Sequence, residues 1–151
     1  MSERSWWQRV VTAGVTATAE ALYPKNDLGA PDWQGVQMVP RTLAWIDELP
    51  GRQRFQIQLL FGAIELAAPL LALSLRRFSR MTPEKRLAAV RRWRASRLLP
   101  LKIIADALKA TTSMMYLSHP DSLRYIQAYK AVDRPEDPLR IEIRPDALEQ
   151  A

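Results

Sequence analysis

The sequence predicts an all-α fold: a single compact helical domain of about five to six helices with an extended C-terminal tail. Three observations lead there. Apolar residues recur at spacings of three and four through most of the first 130 positions, the period of amphipathic helices. The chain holds only five glycines but eleven prolines, and most prolines fall where one periodic run stops and the next begins. After Lys130 the pattern gives way to a stretch rich in proline and acid, so residues 1–130 form the helical domain and 131–151 the tail. A chain of 151 residues with 48% apolar side chains can bury a core of its own.

Ser5 and Gln8 stand at the spacing of a capping box, and the helix they open runs to about Leu22 with Trp7, Val10, Val11, Val15, Thr18 and Leu22 near one face. Pro24 ends it by restricting Tyr23 to extended backbone. From Lys25 to Val39 the turn formers Asp27, Gly29, Pro31, Asp32 and Gly35 predict an irregular loop. Trp33 within it either plugs back onto the domain or anchors a partner. Pro40 opens a second helix carrying Leu43, Ile46 and Leu49, which Pro50-Gly51 breaks.

Arg52 to Leu75 then predicts a long, buried central helix, kinked near Pro69, with Phe55, Leu59, Gly62, Leu66, Leu70 and Leu73 along one line. From Leu59 to Leu73 its only charged residue is Glu65. That run falls short of the about 20 consecutive apolar residues a membrane span needs, so no transmembrane segment is expected.

Thr82 caps a basic helix, with Pro83 at its first position and Glu84 at the positive end of the dipole. Leu87, Val90 and Trp93 face inward, and the arginines, Arg86 among them, spread over the solvent side. Ser96 suits a helix crossing, and Arg97, one turn after Trp93, is placed to stack on the indole or to reach a partner's carboxylate. Pro100 starts the next helix, amphipathic, with Leu101, Ile104, Ala105, Leu108 and Met115 on the apolar side and Lys102, Asp106, Lys109 and Ser113 opposite. His119-Pro120 opens a last short helix with Leu123, Ile126 and Tyr129 inward. In the tail, Leu139 to Arg144 alternates as a single strand would, and it suits a clasp on a partner.

Charge is unevenly placed. Between Arg76 and Lys102 ten Lys or Arg face one acid, a net +9, which leaves −3 for the remainder of a chain whose total is +6. Such a segment is a solvated face or a surface for a partner, nucleic acid or anionic lipid. No helix-turn-helix pattern precedes it, and aromatic residues for base stacking are sparse there.

Catalytic material is scarce. The absence of cysteine excludes disulfides and thiolate chemistry. The glycines are isolated, so neither a phosphate loop nor a dinucleotide fingerprint is present. His119 is the single histidine, and a cap or a hydrogen-bonded surface group is its expected role. No catalytic, cofactor-binding or metal-binding residue is assigned, and the chain is not expected to be an enzyme by itself. Arg4 and Arg9 before VVTAGVTATA imitate a signal peptide. That stretch lacks Leu, Ile and Phe, and no twin arginine is present. A cytoplasmic location is expected, or a periplasmic one if the chain is exported with its partner.

Several motifs occur in a recognisable order. AEALYP (Ala19 to Pro24) and GAPDW (Gly29 to Trp33) come first, then Thr82-Pro83-Glu84, then RRWRASRL with Trp93, Ser96 and Arg97. A hydrophobic helix follows, ending in MMYLSHP with Tyr116, His119 and Pro120. Over roughly residues 17–129 this resembles the gluconate 2-dehydrogenase subunit 3 family, small accessory subunits of FAD-dependent oxidoreductases of the glucose-methanol-choline type. Ala128-Tyr129 stands where that family usually has Gly-Tyr.

The resemblance implies a non-catalytic small subunit that binds a flavin-dependent alcohol or sugar dehydrogenase and helps it fold, load FAD or stay stable. FAD would belong to the partner and no cofactor to this chain; a cytochrome subunit would be a further candidate member of the complex. Trp33, Trp93, Arg97, Tyr116, His119 and Tyr129 are the expected partner-binding residues, and no nucleic acid is expected. The alternative is a basic helical protein that binds nucleic acid or an anionic membrane surface through Arg76–Lys102.

Overall fold

A computed structural model describes residues 5–71 and 76–126, the side chains of 67–71 excepted, and it is all-α as the periodicity predicts. Its helices are α1 (Trp6–Leu22), α2 (Met38–Glu48), α3 (Gly51–Leu71), α4 (Pro83–Arg94), α5 (Leu99–Leu117) and α6 (Pro120–Tyr125), with a 3-10 turn at Phe78–Arg80 before α4. Among the described residues no helix is long and apolar enough to cross a membrane. Tyr129, the tail and its expected strand at 139–144 lie outside the described residues.

The centre of the fold is α1 rather than α3: α1 touches α2, α3, α4, α5 and the 3-10 turn. Both halves of its capping box form, the Ser5 hydroxyl accepting from the Gln8 amide at 3.2 Å and the Gln8 side chain accepting from the Ser5 amide at 2.9 Å. Its buried residues are mostly small: Val10, Val11, Gly14, Val15, Ala17, Thr18, Ala19 and Ala21. A surface so low lets other backbones approach closely. A Cβ at Gly14 would lie 2.3 Å from the Phe61 carbonyl oxygen, and one at Gly62 would lie 2.4 Å from the Trp7 ring. The buried threonines keep their hydroxyls satisfied within their own helices: Thr18 donates to Gly14 O, Thr42 to Met38 O and Thr112 to Leu108 O, at 2.7–2.8 Å.

Around α1 the main core gathers Val11, Val15, Ile46, Phe61, Ile64, Phe78, Val90, Trp93, Ala105 and Leu108. Trp93 stacks on Phe78 with ring centroids 5.9 Å apart. Burying each such ring contributes about 2–3 kcal/mol. A second, smaller cluster of Ala19, Val36, Met38, Met115 and Tyr116 lies at the C-terminal ends of α1 and α5.

Five expectations change, the last of them the largest. First, α2 begins at Met38, not at Pro40, because Gln37 takes a left-handed turn (φ 49°) that starts the helix early. Pro40 then occupies the third position, where its missing N–H costs nothing. Second, Phe55, Leu59 and Leu66 of the expected buried line on α3 are 58%, 47% and 39% exposed. The α1–α3 contact instead uses Phe61, Gly62, Ile64 and Glu65, the face that Gly14 and Trp7 admit. α3 runs unbroken through Pro69 to Leu71; the side chains of Leu70 and Leu73 and the expected end at Leu75 are outside the described set. Third, Ser96 is not at a helix crossing: it sits in the turn after α4, accepting from the Leu98 amide at 3.1 Å. Fourth, Ile126 is half exposed rather than inward.

The largest departure is Arg86, expected on the solvent face and found buried. Its Nε donates to Phe78 O at 3.0 Å, Nη2 to Ser79 O at 2.8 Å, and Nη1 to Ala17 O at 3.3 Å and to the Glu20 carboxylate. One guanidinium thereby joins α1, the 3-10 turn and α4. Glu65 closes the same corner from α3, its carboxylate accepting from both the amide and the hydroxyl of Ser79.

Candidate partner-docking surface

The C-terminal end of α5 is where separated parts of the sequence meet. Tyr23, at the end of α1, stacks on Tyr116 near the end of α5, with ring centroids 4.1 Å apart and planes 12° from parallel. The Tyr23 hydroxyl shares a hydrogen bond with Ser113 Oγ at 2.9 Å, and the Tyr116 hydroxyl donates to Pro31 O at 2.8 Å. Burial pushes the Tyr116 phenol above its ordinary pKa.

The loop from Tyr23 to Gln37 is held in one shape. Trp33 N donates back to Tyr23 O, closing the loop on the helix it left. Asn26 Oδ1 accepts from the amides of Leu28 and Ala30, Asp32 Oδ1 accepts from the Gly35 amide, and Gly29 supplies a left-handed turn at φ 74°. Arg41 of α2 then secures the end of α5, donating to Met115 O at 2.9 Å, to Val36 O at 3.3 Å and to Ser118 Oγ at 2.7 Å. A cation at that carbonyl-rich end also suits the helix dipole.

His119 is the N-cap of α6, its Nδ1 accepting from the Asp121 amide at 3.2 Å, as the sequence suggested for a bland histidine. Tyr125 donates to Leu28 O at 3.3 Å, tying α6 to the loop. At this end of the molecule several large apolar side chains are exposed: Leu28 (80%), Ile126 (50%), Met114 (45%), Tyr125 (44%) and Leu117 (42%).

The residues picked from the sequence divide accordingly. Tyr116, His119 and Trp33 come together here, Tyr116 and Trp33 as packing for the second cluster and His119 as a cap. Trp93 is elsewhere, 1% exposed in the main core, where it fills space rather than presenting a surface. Arg97 lies beyond the end of α4, exposed, and it neither pairs with a carboxylate nor stacks on a ring among the described residues. Tyr129 lies outside them. Sequence reasoning missed Arg41 and Leu28, and no local pattern marks either one.

Small clefts among the described residues lie apart from this surface. One of about 120 Å³ sits between α1, α2 and α3, lined by Gln8, Thr12, Leu43, Asp47 and Gln58. Another, about 250 Å³ and open, is lined by Trp6, Arg9, Glu65, Arg77, Ser79 and Arg80. Among the described residues, no three His, Cys, Asp or Glu side chains gather as a metal site would require. What the surface offers chemically is apolar contact on a preorganised base. Compared with family models, curated proteins and solved structures, the chain matches none.

Proposed function

We propose that this chain is a non-catalytic small subunit that binds a flavin-dependent dehydrogenase of the glucose-methanol-choline type and helps it fold, take up FAD or remain stable. One observation carries the reading. AEALYP and GAPDW, neighbours in sequence, and the distant MMYLSHP, the motifs that suggested an accessory subunit, build a single node through Tyr23, Pro31, Trp33 and Tyr116. Exposed around that end of α5 are Leu28 and Tyr125, joined by a hydrogen bond, with Leu117 and Ile126. Aromatic and aliphatic side chains on a rigid support lose little entropy on binding, which favours a lasting protein contact.

The test is co-expression with the flavoprotein encoded nearest to this chain, followed by size exclusion with absorbance recorded at the flavin band. A yellow peak containing both chains supports the reading, and Leu28→Asp with Leu117→Asp should split it. Two separate peaks, or an unchanged yield of FAD-loaded catalytic chain, would overturn it.

A further inference from the structure

At the opposite end of α5 the chain turns a sharp corner. Between Arg94 and Ile103 every residue is exposed except Ser96 and Leu101, which are partly so. Leu98, Leu99 and Ile103 are 64%, 66% and 57% exposed, and Pro100 between them is exposed too. The corner thus exposes a run of large aliphatic groups.

Cations flank it on both legs. Arg91, Arg92 and Arg94 occupy the last turn of α4, Arg97 lies in the corner, and Lys102 is in the first turn of α5. Among the described residues no carboxylate pairs with Arg91, Arg92, Arg97 or Lys102; Arg94 is held by Asp106 at 3.2 Å. From Lys85 to Ala105 the sequence has no acid. Apolar groups at the corner, flanked within about one helical turn (about 5 Å) by positive charge, suit the boundary of an anionic bilayer. There the acyl boundary lies just beneath the phosphates, and amphipathic elements bury their apolar side about 5–10 Å deep.

We propose that the α4–α5 corner is a membrane-surface contact that inserts Leu98, Leu99 and Ile103 into the interface of an anionic bilayer while Arg91, Arg92, Arg97 and Lys102 engage lipid phosphates. This contact is peripheral and reversible, because one corner supplies only a few buried side chains and a handful of charges. It does not depend on the proposed dehydrogenase partner, since it lies at the other end of α5 from the aromatic node.

The experiment is sedimentation of the full chain with vesicles of equal parts phosphatidylglycerol and phosphatidylcholine, and with phosphatidylcholine alone. The chain should pellet with the anionic vesicles only, and at least tenfold less when salt rises from about 0.1 to about 0.5 M. Leu98→Asp with Leu99→Asp should lower binding by tenfold or more. Asp suits the N-cap position that Leu98 holds on α5, so this variant keeps the fold, as an unchanged circular dichroism melt would show.

Failure to pellet with anionic vesicles would overturn the proposal and leave the corner to a protein partner. Equal pelleting of the Leu variant would also overturn it, showing adsorption by charge alone, as to nucleic acid. Neither result bears on the flavoprotein co-expression test, which reads the other end of the molecule.

Discussion

Replacing Arg86 by Met should destabilise the protein more than the same replacement of any other basic residue on α4. The methionine fills much of the same volume but leaves three carbonyl acceptors, Ala17 O, Phe78 O and Ser79 O, without this donor, and separates Glu20 from its cation. Each buried acceptor left unpaired costs about 1–3 kcal/mol, and breaking a buried ion pair from one side costs about 3–5 kcal/mol. These terms overlap. The Glu20 side chain is also 38% exposed and regains water, so its share is discounted.

A loss of about 3–4 kcal/mol is expected, which lowers Tm by roughly 10 °C for a chain of this size. Urea unfolding followed at 222 nm, with Arg91→Met as the exposed control, measures it directly. The control should stay within about 0.5 kcal/mol of the parent. If Arg86→Met fell within 1 kcal/mol of that control, the view of Arg86 as the tie between α1, the 3-10 turn and α4 would be wrong.

Gly14→Ala drives a Cβ into the Phe61 carbonyl, and since neither backbone can yield alone it should cost about 2–3 kcal/mol despite the better helix propensity of alanine. Gly62→Ala meets only the Trp7 ring, which can swing outward, so its cost is smaller and appears as a shift in tryptophan emission. Burial raises the pKa of Tyr116, so its contribution to stability is complete below the unfolded value near pH 10 and is lost as pH rises through the folded value. Tyr116→Phe should flatten that alkaline decline and cost about 1 kcal/mol at neutral pH through the lost bond to Pro31 O. His119→Ala should cost about 0.5–1 kcal/mol and speed hydrogen exchange at the Asp121 amide, whereas His119→Asn keeps the cap and should behave as the parent.

The elements were largely legible because local chemistry sets them. The Ser5–Gln8 box, the prolines at 83, 100 and 120, and the cap at His119 delimit helices as their residue types dictate, whereas Thr82 stands at the N-cap of α4 with no capping bond from its hydroxyl. Which side of each helix faces inward was less legible. On α3 large apolar residues occur nearly all round, so their size pointed to Phe55, Leu59 and Leu66, while the actual contact was decided by small residues on α1 that permit Phe61 and Gly62 to approach.

Arg86 was hidden by its company, a basic run in which every arginine looks alike. Yet it stands four residues before Val90 and seven before Trp93, on the buried line itself, and Glu20 is the one acid on α1. The aromatic node joins residues 85 or more positions apart, such as Tyr116 with Pro31, and periodicity carries no information about such pairs.

The central position of α1 has a consequence for synthesis on the ribosome. Its packing partners include α4 and α5, whose last residue is Leu117, so α5 must have emerged before α1 can be enclosed. Its threonines and valines make it a weak helix in isolation. Helix α1 is translated before α4 and α5 yet settles only with them, so its enclosure is a late, cooperative event that waits for helices made afterwards.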